Sequence, residues 1–217
     1  MIINNLKKRF YTSLILFFIL TLIFIFDSVQ IYFLILLGVL SILEFLKLTR
    51  NIFKKKINQI MINLFFVIYI SLFCLIFFFF SGFIQLKIIL YTLLLGCIAS
   101  DIGGFIFGKI FRGPKLSKIS PSKTYSGSFG SIALCTFVVS LLFFNYMQVF
   151  NIKIILVGII TSIFCQIGDL FFSYLKRRAK VKDTGNFLPG HGGILDRLDG
   201  IFLGIPFGFI TLMLFNN

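Results

Sequence analysis

Charge is missing from this sequence over long distances. Phe10 to Phe26, Ile60 to Leu86 and Ile88 to Ser100 contain no Asp, Glu, Lys, Arg or His. Hydrophobic residues make up 59% of the 217, and the mean hydropathy is +1.05. A soluble domain holds roughly 45–50% apolar residues even with glycine counted. The blocks are of the order that crosses hydrocarbon as helix, about 17–25 residues. A soluble protein is excluded. Cysteine is scarce as well: Cys74, Cys97, Cys135 and Cys165 all fall in apolar runs, without CxxC or metal-ligand spacing. They read as small buried hydrophobes, neither disulfides nor ligands. No small-residue cleavage site follows the first apolar run, where Asp27, Ser28, Val29 and Gln30 come next. That run, preceded by Lys7, Lys8 and Arg9, is therefore expected to be a retained helix, not a signal peptide. There is no soluble domain, low-complexity linker or internal repeat.

The sequence predicts an all-α, polytopic membrane helix bundle of about seven transmembrane helices, over 10–26, 29–46, 60–80, 88–108, 127–147, 152–172 and 201–215. A short hairpin hidden in the phenylalanine-rich stretch 60–84 would raise the count, up to nine. Between these spans, segments 1–9, 47–59, 109–126 and 173–200 carry 3, 5, 5 and 6 Lys or Arg, which is 19 of the 21. The opposite side keeps only Lys87 and Lys153. By the positive-inside rule the four basic segments and the N-terminus are expected in the cytoplasm of a bacterial inner membrane. The net charge of +14 then faces anionic lipid headgroups, and nucleic acid is not an expected partner.

Only seven acids are present, so each position is informative. Asp27 falls in an external turn. Glu44, Asp101 and Asp169 fall within spans, where an ionisable group costs a few kcal/mol or more and is usually functional or paired. Glu44, near a helix end, is expected to snorkel or to pair with Lys47. Ser162, Gln166, Asp169, Ser173 and Lys176 follow at intervals of three or four, so they share one helix face. Cys97, Asp101, Gly104 and Gly108 form a second stripe of mostly small residues, which lets a helix or a ligand approach closely. The two stripes suggest a shared cavity.

Residues 173–199 concentrate the remaining chemistry. Lys176, Arg177, Arg178, Lys180 and Lys182 suit a polyanion, and Pro189-Gly190-His191-Gly192-Gly193 is a turn whose N–H groups can form an anion nest. A helix beginning after Gly193 would aim its positive end at the same place. Asp196 and Asp199 would lie side by side on it, next to Arg197. Carboxylates beside a phosphate-binding turn suit Mg²⁺ held between protein and nucleotide phosphates.

At these residues the sequence resembles the phosphatidate cytidylyltransferase (CDP-diacylglycerol synthase) family. Residues 173–199 fill that family's signature at the right spacing: Ser-x-hydrophobic-Lys-Arg, then Lys-Asp, Pro-x-His-Gly-Gly and hydrophobic-x-Asp-Arg-x-Asp. Gly168-Asp169-Leu170 looks like its lead-in. Residues 101–127 are similar to its other recurring stretch, through Asp101, Gly108-Lys109, Ser120-Pro121, Lys123-Thr124 and Gly127. Ser126, Phe172 and Gly200 depart from the family's usual Glu or Gln, Glu, and Ser.

The resemblance implies transfer of CMP from CTP to phosphatidic acid, giving CDP-diacylglycerol and pyrophosphate. It implies Mg²⁺ as cofactor, with Asp169 and Asp196 as ligands and Asp101 a further candidate, and leaves open a second, monovalent cation. Asp169, Lys176, Asp196 and Asp199 are the expected catalytic set. Lys109, Ser120, Lys123, Ser173, Arg177, Lys182, Asp183, His191, Gly192, Gly193 and Arg197 are the expected substrate-binding set. His191 is divided between a substrate contact and a bond that stabilises the turn. On this basis residues 1–87 form N-terminal transmembrane helices, and 88–217 a catalytic transmembrane domain with loops 109–126 and 173–200. A homodimer is left open. The alternatives are a CTP-dependent lipid kinase of the dolichol-kinase type and, from another class, a membrane transporter.

Overall fold

The computed structural model describes residues 18, 21–117, 119–121, 123–148, 151–185, 187 and 192–215. Their order is α1 (Asp27–Ile52), α2 (Lys56–Ser81), α3 (Ile84–Phe111), α4 (Tyr125–Met147), α5 (Ile152–Arg178), α6 (Leu195–Leu198) and α7 (Ile201–Phe215). No strand occurs among the described residues beyond one isolated bridge, Lys115 with Thr124. Among the described residues, six stretches are long and apolar enough to cross a membrane: α1, α2, α3, residues 125–146 of α4, α5, and α6 with α7. They correspond to six of the seven expected spans. The first, 10–26, lies largely outside the described residues. The suspected hairpin in 60–84 is absent, because α2 runs unbroken to Ser81.

The helices expose their apolar side chains freely. Phe65, Phe105 and Phe129 are 75%, 70% and 73% accessible. Water would not tolerate so much apolar surface on one chain, whereas lipid takes it without cost.

The chain falls into two compact units, Met1–Phe83 with Leu175–Arg197, and Ile84–Tyr174 with Leu198–Asn217. This grouping does not follow the order 1–87 and 88–217, because a late segment returns to the first helices. In the first unit, Phe45 of α1 stacks on Phe66 of α2 at 3.7 Å between ring centroids. Thr49 donates a 2.7 Å hydrogen bond to Asn63 Oδ1 between the same helices.

In the second unit, packing is set by small residues. A methyl group on Gly104 would lie 2.6 Å from Ser131 Oγ. Gly200, Gly204 and Gly208 make a stripe against Cys165, Cys97 and Thr161, with methyl positions 2.6 Å from the two sulfurs. Such close approach is how helices gain dispersion contacts where lipid removes the hydrophobic drive. Phe164 and Phe207 stack at 3.6 Å and 4° in the same interface. The cysteines are free and mostly buried, as expected.

Candidate functional site

In the second unit, the stripe on α5 is a run of polar contacts. Ser162 pairs with Ser100 of α3 at 2.9 Å in the buried interior. Gln166 Nε2 donates to Ser162 Oγ and to the Ser128 carbonyl, each at 3.3 Å, while Ser128 Oγ donates to Gln166 Oε1. One turn further along, Asp169 accepts from Ser173 at 3.3 Å and forms an ion pair with Lys123. Both partners keep some exposure, with side chains 23% (Lys123) and 31% (Asp169) accessible.

Lys123 is held in place by the loop 112–124. Arg112 and Gly113 adopt positive φ, 51° and 114°, and turn the chain back after α3. Leu116 N–H donates to the Lys123 carbonyl at 2.8 Å, Lys123 N–H to the Ser120 carbonyl at 3.1 Å, and Tyr125 N–H to the Pro114 carbonyl at 3.2 Å. Thr124 then caps α4, its Oγ1 accepting from Gly127 N–H at 3.1 Å.

Asp101 is exposed and accepts a weak bond from Cys165 Sγ at 3.9 Å. Cys165 is four residues, about 6 Å of helix, before Asp169, so the two stripes do meet. They are not wholly a cavity wall, however. Gly104 and Gly108 pack against Ser131 and Thr124, and Cys97 faces Gly204. Lys109 lies over the Phe105 ring at 5.7 Å. Asp199 is buried and accepts from its neighbour Gly200 N–H at 2.8 Å, with Gly168 packed on its carbonyl.

The first unit holds the other half of the expected set. After Arg178, Lys180 takes the left-handed conformation (φ 57°), and Val181 N–H donates to the Lys176 carbonyl at 3.0 Å, ending α5. The chain then returns, and Asp196 becomes the hub. Its Oδ1 accepts from Lys176 Nζ at 2.7 Å, a largely buried pair. Its Oδ2 faces Thr184 N–H at 2.8 Å, Gly193 N–H at 3.0 Å and Thr184 Oγ1 at 3.1 Å. Arg177, Lys182, Asp183 and Arg197 are exposed, and Gly192 (φ 84°) packs between Asp183 and Asp196. His191, Pro189 and Gly190 lie outside the described residues.

One reading requires correction. Glu44 neither snorkels nor relies on Lys47. It is 7% accessible, and accepts from Thr184 Oγ1 at 2.7 Å, Leu195 N–H at 2.9 Å and Ile194 N–H at 3.0 Å. Of the turn expected to bind anions, residues 189–191 lie outside the described residues; the Gly193 amide is directed to Asp196, and those of Ile194 and Leu195 after it to Glu44. Three donors converging on one carboxylate repay the cost of burying it. No sequence rule finds this contact, since the partners stand 140 to 151 positions away.

Two of the departures from the family pattern have local reasons. Gly200 stands where a side chain would collide with Cys165, its methyl position 2.6 Å from the sulfur. The Ser126 hydroxyl donates to the Arg112 carbonyl and helps close the loop.

Six apolar helical segments long enough to cross a bilayer among the described residues define a multi-pass membrane protein. Residues 3–215 match the profile of the Cytidylyltransferase family, and the chain belongs to that family. It is 41% identical over 128 residues to a phosphatidate cytidylyltransferase of Rickettsia felis, covering 54% of this chain and 56% of that protein. It is 42% identical over 132 residues to one of Staphylococcus haemolyticus (59% and 50% covered) and 39% over 120 to one of Bacillus subtilis (54% and 45%). The chain spans about half the length of the curated relatives it matches.

Proposed function

We propose that this protein transfers a cytidylyl group from CTP to phosphatidic acid. A phosphate oxygen of the lipid attacks the α-phosphorus, the bond to the β-phosphate bridging oxygen breaks, and pyrophosphate leaves with that electron pair. The product is CDP-diacylglycerol. A phosphate monoester is mostly ionised near pH 7, its second pKa being about 6, so no general base is needed. What the protein supplies is position and charge.

The observation that carries this reading is the pairing of Lys123 with Asp169 and of Lys176 with Asp196. Each pair is neutral at rest. A polyanion competes for the lysine and a divalent cation for the carboxylate, so a nucleotide arriving with its cation replaces each pair by two new ones. Arg177, Lys182 and Arg197 would hold phosphates, and Lys109 and Ser120 the CTP or the lipid headgroup.

Each carboxylate offers the kind of donor that Mg²⁺ takes. Among the described residues, Asp169 Oδ1 accepts a long bond from Ser173, and Asp196 Oδ1 one from Lys176. Mg²⁺ takes hard oxygen donors and needs one or two carboxylates, with water and substrate phosphates completing its shell. Among the described residues no three acidic, cysteine or histidine side chains converge, and a site of this kind does not require it. Asp169 and Asp196 are the proposed ligands, and Mg²⁺ would supply neutralisation of phosphate charge. The four basic segments would face the cytoplasm, in a bacterial inner membrane.

The test is purified protein incubated with CTP, Mg²⁺ and phosphatidic acid. CDP-lipid and pyrophosphate are expected, and Asp169→Asn and Asp196→Asn each abolish them without preventing membrane insertion. Near-wild-type turnover in both variants would remove the metal assignment.

A further inference from the structure

Glu44 belongs to no motif of the signature, yet it is tied to the segment that carries Asp196. Its two oxygens accept from Ile194 N–H (Oε1, 3.0 Å) and from Leu195 N–H and Thr184 Oγ1 (Oε2, 2.9 and 2.7 Å). The Thr184 hydroxyl stands between two carboxylates, with Asp196 Oδ2 at 3.1 Å on its other side. It has one proton, and the shorter contact gives it to Glu44. Asp196 Oδ2 keeps the backbone amides of Thr184 and Gly193. The two glycines nearest Glu44 are explained by the same contact. A methyl group on Gly185 would lie 2.5 Å from Glu44 Oε1, and one on Gly193 would lie 2.8 Å from Glu44 Cδ. Gly193, whose φ is not in the left-handed region, is glycine because a carboxylate fills the space beside it.

We propose that Glu44 is a positioning residue for the transfer reaction: it fastens Thr184, Ile194 and Leu195 to α1 and so fixes where Asp196 and Lys176 stand. The proposal rests on the cytidylyl-transfer reading. It assigns to an N-terminal helix, outside the two matched motifs, control over the charge arrangement of the signature. Glutamine in its place has one acceptor oxygen for three donors. Whichever way the amide is turned, a backbone N–H of Ile194 or Leu195 meets an NH₂ group.

The experiment measures kcat and the KM for CTP separately in the purified full chain, for wild type, Glu44→Gln, Thr184→Val and Thr184→Ser. Wild type that makes no CDP-lipid contradicts the transfer reading itself, before Glu44 is at issue. With an active wild type, Glu44→Gln is expected to lower kcat at least tenfold while KM for CTP moves less than threefold. A loss of properly folded enzyme alone would reduce the amount of active protein and leave the kcat of the folded fraction, determined by active-site titration, unchanged. Thr184→Val, which keeps nearly the same shape and loses the hydroxyl, should lose at least fivefold in kcat. Thr184→Ser, which keeps the hydroxyl, should recover most of it. The double variant should be no worse than Glu44→Gln alone, since both act through one contact. Folded Glu44→Gln and Thr184→Val that each keep kcat within twofold of wild type would overturn the proposal. If Glu44→Gln does not insert, the Thr184 pair decides it.

Discussion

Replacing Gly193 by alanine tests the packing around Glu44 by steric means. The added methyl would sit 2.8 Å from Glu44 Cδ, and nearer still to Glu44 Oε2 and Thr184 Oγ1. Relief requires the carboxylate or the threonine to retreat by about 1 Å. A 2.7 Å bond stretched that far is no longer a hydrogen bond. Overpacking costs about 1–3 kcal/mol, and a bond to a charged group contributes about 1.5–3 kcal/mol. With one such bond lost, the penalty is about 2.5–6 kcal/mol. Gly82→Ala is the control. Gly82 has φ −68° and ψ −17°, and its methyl would come no nearer than 3.4 Å, to the Phe79 carbonyl. Alanine there should change stability by less than about 1 kcal/mol. The assay is the fraction of protein eluting as a single species after graded heating in one detergent. Gly193→Ala should lose several degrees and most of its turnover, and Gly82→Ala neither. Equal midpoints and rates for the two variants would refute the reasoning.

Lys123→Met should separate stability from activity. The Lys123–Asp169 pair is partly exposed, so its loss costs about 0–1 kcal/mol of stability, whereas the transfer rate should fall at least a hundredfold. Ser162→Ala removes the hydroxyl that pairs with Ser100 and accepts from Gln166, at about 1–3 kcal/mol, and Ser100→Ala, which leaves Ser162 bonded to Gln166, should cost less. The double variant should cost less than the two single losses added, which a thermal-stability cycle measures. Gly208→Leu should fail to yield a monodisperse protein, because the methyl position is already 2.9 Å from Leu93 Cδ2.

The spans were legible because a charge-free run of helical length has few other readings. Six appear where the hydropathy puts them, and helix ends shift by a few residues where caps such as Thr124 decide. The polar face of α5 was legible from spacing alone, since Ser162, Gln166, Asp169 and Ser173 share partners along one side. Asp196 and Lys176 stand out in the signature, but their mutual bond does not, because spacing carries no contact across 20 residues of loop. Glu44 was misread for the same reason in stronger form. A single acid near a helix end satisfies the local rule for snorkelling, and only the contacts of Thr184, Ile194 and Leu195 with α1 override it. Gly193 was read only as part of an anion-binding turn, and the packing of Glu44 and Thr184 beside it was not visible. The stripe Gly200, Gly204, Gly208 was visible at intervals of four yet passed over, because nothing polar drew notice to it.

The most direct test of the central claim is to give the purified protein CTP labelled separately at the α- and γ-phosphates, with phosphatidic acid and Mg²⁺. Cytidylyl transfer predicts α-label in the lipid and γ-label in released pyrophosphate. Label from the γ-phosphate appearing in the lipid, with the α-label left in CDP, would contradict it and make the protein a lipid kinase.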